Sequence, residues 1–136
     1  MKIRNIMAAL SFAFLCVFAT ACNNNKNDVN VAQMISGASS KTWHPVRETN
    51  ASGDKEKLDA NEKRESWVFY SNGQVSMNMT SQAIQGTWNY DPNTKLMSIT
   101  PSGSTMAQTF TVVDADEDDL HLKAGDGSEM KLETRD

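Results

Sequence analysis

From residue 66 onward the chain alternates apolar and polar side chains with a period of two, the signature of half-buried strands. Turn-forming residues interrupt the alternation at roughly ten-residue intervals, a spacing typical of an all-β barrel or sandwich. "SWVFY" (66–70) is rich in β-formers and ends at "SNG" (71–73). "QVSMNMT" (74–80) follows, with Val75, Met77 and Met79 on one face. "AIQGTWNY" (83–90) puts Ile84, Gly86, Trp88 and Tyr90 on one face, and "DPNT" (91–94) is a β-turn with Pro at its second position. "KLMSIT" (95–100) and the longer "TMAQTFTVVD" (105–114) come next, the latter with Met106, Gln108, Phe110 and Val112 in one register. "LHLK" (120–123) and "EMKLET" (129–134) close the series, joined through Asp126-Gly127, a hairpin signal.

Upstream, "KTWHPVR" (41–47) reads as a first strand, and Pro45 within it marks an edge or a bulge. The charged stretch 48–65 is nearly free of apolar residues and reads as a large loop with a helical turn around Leu58. "DVNVAQMISG" before the first strand suits one short helix, capped by Asp28 and stopped by Gly37. Eight strands joined by hairpin-length connections, apart from the first, leave no room for parallel crossovers. The expected fold is therefore all-β: an antiparallel, eight-stranded up-and-down meander closing into a small barrel, with a short N-terminal helix. Closure removes exposed strand edges.

The first residues follow a different rule. Lys2 and Arg4 precede an apolar run from Ile6 to Phe18, broken only by Ser11. That run is shorter than the roughly 20 residues of a spanning helix and is followed by the small residues Ala19, Thr20 and Ala21, the layout of an export signal. With Cys22 next, the tripeptide resembles the lipobox of bacterial lipoproteins. That resemblance implies a diacylglycerol on the Cys22 thiol, removal of residues 1–21, and a membrane partner through the lipid. Residues 22–30 then form a polar tether and 31–136 the barrel domain. Asn23, in place of Asp after the cysteine, points to the outer membrane, on its periplasmic or surface face. The other cysteine, Cys16, lies in the removed segment, so the domain holds no disulfide although an exported protein meets an oxidising compartment.

Charge narrows the partners. The 13 basic and 17 acidic side chains give −4, and loss of Lys2 and Arg4 makes that −6. Nucleic acid is excluded as a partner, because its recognition needs clustered Lys and Arg. A basic protein is compatible.

"SKTWHPV", "WVFYSNGQV" and "GTWNYDPNTKLMSI" resemble elements of the small lipocalin-like domains of Gram-negative lipoproteins, from about Met34 to Leu132. Lipocalins carry Gly-x-Trp on the first strand, whereas here Gly86-Thr87-Trp88 lies mid-chain. The resemblance implies a barrel whose mouth is covered by the large first loop and which binds a small apolar ligand. An eight-stranded barrel either fills with side chains or holds one small ligand. Under the second reading the ligand-binding residues are Trp43, Trp67, Phe69, Met77, Met79 and Trp88, with Gly86 leaving space opposite large side chains.

Other candidate sites are weak. Asp114, Asp116 and Asp118 have the spacing of the first three calcium-loop ligands, but Asp119 and Gly125 stand where Gly and Glu are needed. His44 and His121, the only histidines, have no zinc-motif spacing and read as surface residues. No nucleophile elbow, phosphate loop or dinucleotide fingerprint occurs. The expectation is non-catalytic binding without cofactor or metal. The alternative is a protein-interaction module, such as an envelope protease or lysozyme inhibitor, or an accessory subunit of an envelope complex.

Overall fold

The computed structural model describes residues 25–135, so the expected export signal and Cys22, the expected lipidation position, lie outside the described residues. Helix α1 (Asn25–Ser36) leads into nine strands: β1 (Ser40–Thr49), β2 (Lys55–Glu56), β3 (Ser66–Tyr70), β4 (Gln74–Asn78), β5 (Ala83–Asp91), β6 (Leu96–Pro101), β7 (Gln108–Ala115), β8 (Asp119–Ala124) and β9 (Glu129–Glu133). Strands β3 to β9 form an antiparallel meander, and β1 pairs with both β3 and β9. Eight strands thus close the barrel. The two-residue β2 is a flap folded back on the end of β1, through Glu48 opposite Glu56 and Thr49 opposite Lys55.

β1 closes the ring by changing partners along its length. Residues 40–43 pair with β3 and residues 44–49 with β9. The ladder slips between Pro45 and Arg47. Proline has no amide hydrogen to donate, and a bulge is where a sheet tolerates that loss. The slip also reverses the side-chain phase. Pro45 pairs with Leu132, which is buried, but Arg47 pairs with exposed Lys131 and Glu48 with half-buried Met130. Glu48 therefore joins the inward set and Arg47 the outward one. A similar slip between Val112 and Asp114 leaves Val113 50% exposed on β7 and turns Ala115 inward.

The core runs through Trp43, Phe69, Val75, Met77, Trp88, Met97, Ile99, Leu120, Leu122 and Leu132. Helix α1 closes one end, packing on β1, β3 and β7. Ile35 is fully buried there, and its carbonyl accepts a hydrogen bond from Trp43 Nε1 at 2.8 Å. That contact satisfies one of the orphan carbonyls at the helix C-terminus. Gly37 ends the helix in the left-handed region (φ 65°), with its amide donating to the Gln33 carbonyl at 2.7 Å. Asp28 lies inside the helix and not at its cap, because α1 begins at Asn25, within residues 22–30 read as a tether.

Three other sequence expectations shift. The turn in the long loop forms at Glu62–Arg64, not around Leu58, whose side chain is buried. β7 starts at Gln108, which leaves Met106 outside the strand and 79% exposed. Gly86 does not leave space in the interior. A Cβ there would overlap the Thr100 carbonyl oxygen and lie 3.0 Å from the Pro101 Cα, so glycine permits the close approach of β5 and β6.

Candidate binding site at the barrel mouth

The end opposite α1 gathers the long loop 50–65 and the turns 79–82, 102–107 and 125–128. Between the β1–β2 hairpin and β7–β9 lies a concavity of about 350 Å³. Phe110, Leu122 and Met130 supply its apolar wall; Glu48, Glu56, Asp126 and Glu129 supply acids. The volume falls at the lower end of the roughly 300–1,000 Å³ typical of small-ligand sites. Phe110 and Met130 are only partly buried although they pack on the core, as do Met79 and Ile84. At the helix end, by contrast, Ile35, Trp43 and Leu120 are fully buried.

The electrostatics of the mouth are one-sided. Burial is the main cause raising the Glu48 carboxyl above its ordinary value, and Glu62, Glu56 and Glu65 add to the effect. No cation pairs with Glu48 among the described residues. Asp126 differs: the Ser128 hydroxyl and amide donate to its Oδ1, at 2.6 and 2.9 Å, and lower its pKa.

The long loop is tied back on the barrel. The Asp59 carboxylate accepts from the amides of Asn61 and Glu62, while Glu62 Oε2 accepts from the Asp59 amide at 2.7 Å. This reciprocal arrangement is of the capping-box kind. Glu65 Oε1 accepts from the Thr80 hydroxyl at 3.1 Å, His44 Nδ1 lies 2.9 Å from the Glu65 carbonyl oxygen, and Arg135 donates to the Lys63 carbonyl at 2.8 Å.

The aromatic and methionine residues expected to bind ligand divide by depth. Trp43, Phe69, Met77 and Trp88 are buried in the core, away from the concavity, and Phe69 and Trp88 meet edge-to-face at 5.3 Å. Met79 lies in a separate surface hollow with Asn61 and Arg64. Trp67 connects the two regions: it is 5% exposed, and its ring lies 6.2 Å from that of Phe110. Trp43 and Trp88 donate their indole hydrogens to the carbonyls of Ile35 and Tyr70, but Trp67 Nε1 has no hydrogen-bond partner among the described residues. Phe110, Leu122 and Met130 were each legible as inward positions of alternating strands. Nothing local marks them as belonging to the open end. Glu48 was missed because the bulge reverses the phase.

The histidines and the acidic run have structural partners. His121 faces out, with Nε2 2.8 Å from Glu129 Oε2. Asp116 Oδ1 accepts from the amides of Asp118 and Asp119 at 3.0 and 2.8 Å, which closes the turn and lowers its pKa. No group of three or more potential metal ligands occurs among the described residues, and no described helix is long and apolar enough to cross a membrane.

No protein-family model matches the chain. No curated protein matches it either. Among solved structures, it is similar to a lipocalin-like protein from Bacteroides uniformis, with a TM-score of 0.57 and 17% identity over 70% of this chain and 96% of the other. It is also similar to a DUF4847 family protein from Bacteroides vulgatus, with a TM-score of 0.54 and 17% identity over 76% of this chain and 99% of the other. A protein from Burkholderia xenovorans aligns with a TM-score of 0.52 and 13% identity, covering 78% and 87% of the respective chains. The fold is thus a lipocalin-like eight-stranded barrel.

Proposed function

We propose that this is a lipid-anchored envelope protein that binds a small, largely apolar ligand in the barrel mouth without transforming it. The observation that carries the reading is the concavity of about 350 Å³ walled by Phe110, Leu122 and Met130. Apolar surface left half-exposed beside a packed core is stabilised by covering it, at roughly 25 cal/mol per Å². The acids around it set the polarity of the ligand. Glu48 and Glu56 disfavour a carboxylate-headed lipid and favour a ligand whose polar end donates hydrogen bonds or carries positive charge. The lipid on Cys22 rests on the lipobox resemblance and holds the barrel at the outer membrane.

Native mass spectrometry of protein purified without detergent tests the binding reading. The expected result is an excess mass lost on organic extraction. Titration with dodecylamine and dodecanoic acid, followed by tryptophan fluorescence, is expected to favour the amine by about tenfold, or 1.4 kcal/mol. Met130→Trp, which fills the concavity, should abolish the response. A bare mass with no response to either probe would exclude a ligand in the mouth.

A second reading, the protein-interaction module or accessory subunit, is favoured by Met106. It projects, 79% exposed, from the loop 102–107 at the mouth end. Under that reading Met106→Ala abolishes capture of the partner and leaves amine binding unchanged.

A further inference from the structure

The outer wall beside the mouth carries charge of the opposite sign. Strand register places His121 on β8 opposite Lys131 on β9, and Lys131 opposite Arg47 on β1. β2 adds Lys55, opposite Thr49. The bulge after Pro45 turns Arg47 onto this outer face; unbroken alternation would have pointed it into the barrel. Arg47, Thr49, Lys55, His121, Glu129 and Lys131 line one hollow of about 220 Å³.

Glu129 sets one negative charge against three cations, so the hollow keeps a net positive charge. Glu129 Oε2 lies 2.8 Å from His121 Nε2 and its Oε1 3.8 Å from Lys123 Nζ, so both oxygens are engaged. Arg47, Lys55 and Lys131 have no ion-pair partner among the described residues. Like charges directly opposite on neighbouring strands destabilise a sheet. A chain with 17 acidic side chains against 13 basic ones has ample carboxylate to relieve that repulsion. Three cations without an ion-pair partner nevertheless line one hollow, together with Thr49 and Glu129.

We propose that this hollow is an oxyanion site for a phosphate group. The guanidinium of Arg47 offers a planar fork for two oxygens, and the two lysines offer point charges for the others, the donor set that suits phosphate. The hollow has the size of a single small group. The same chemistry is presented by inorganic phosphate and by a phospholipid headgroup, and the site adjoins the acidic mouth, with Thr49 and Glu129 lining both hollows.

The test is nuclear magnetic resonance titration of the full chain at low ionic strength with inorganic phosphate and, separately, with short-chain phosphatidic acid below its micelle concentration. Sodium chloride at matched ionic strength is the control. The expected result is saturable shifts at Arg47, His121 and Lys131, with affinity reduced about tenfold by Lys131→Gln and by Arg47→Gln. Lys57→Gln, an exposed change outside the hollow, should have no effect. Saturation by both probes identifies a general phosphate site; saturation by phosphatidic acid alone, still lost in the hollow variants, identifies a headgroup site. Shifts that sodium chloride reproduces, or that persist in both hollow variants, overturn the proposal. Both substitutions lie on the outer face of the sheet, and if one variant fails to fold the other gives the same readout.

Discussion

Glu48 is the residue at which local pattern and tertiary position part most clearly. A strand that alternates from Trp43 would send residue 48 outward, yet it faces Met130 inside the mouth. Desolvation and three neighbouring glutamates raise its pKa. The sign follows from linkage. The folded chain holds the Glu48 proton more tightly than the unfolded chain does, so ionisation weakens the fold as pH rises through the raised value. Glu48→Gln removes that penalty. The variant is expected to melt higher than the parent at pH 7, and the two melting curves should converge below about pH 4, where the carboxyl is protonated in both states. Equal melting temperatures at pH 7 would mean that solvent screens the site.

Within the elements, boundaries follow chemistry that is legible in the chain. Asn72 Oδ1 accepts from the Gln74 amide and Gly73 takes φ 90°, which closes the β3–β4 hairpin where "SNG" predicts it. Gly127, at φ 90°, does the same for β8–β9. Gly86 meets a different demand. Its role is set by the backbone of β6, with no local turn to reveal it. Gly86→Ala is expected to cost about 3 kcal/mol, the upper part of the overpacking range, because the obstacle is a carbonyl that does not repack. Gly125→Ala, which meets nothing within 4 Å, should be near neutral. Urea unfolding of the two variants measures the contrast.

At the scale of the whole molecule, the barrel has one plugged end and one open end. Helix α1 and the Trp43–Ile35 hydrogen bond seal the first. The second keeps apolar side chains half-exposed beneath an acidic rim, with a basic hollow on the neighbouring wall. Neither cysteine lies within the described residues, so the described barrel is held by its core and ladders and by no disulfide. Cys22→Ser is expected to move the protein from the membrane to the soluble fraction of the envelope. Retention in the membrane fraction would count against the lipid anchor. One acyl chain binds a bilayer only marginally, whereas the two chains of a diacylglycerol would hold it stably, so loss of the Cys22 thiol is the decisive change.

The sequence by itself determined the eight barrel strands, their hairpin order and, wherever the ladder carries no bulge, their inward faces. Alternation and turn chemistry act over a few residues, and an antiparallel meander of short links has few rival topologies. It also flagged the irregularity at Pro45. Tertiary structure decided what that irregularity did: β1 changed partner, Glu48 turned into the mouth and Arg47 turned out to join Lys131. It likewise decided that Trp43 and Trp88 belong to sealed core while Phe110 and Met130 face an opening. An inward side chain has the same local signature at either depth. Depth depends on which end the helix plugs and where register closes the ring, and both are sums of contacts between residues far apart in sequence.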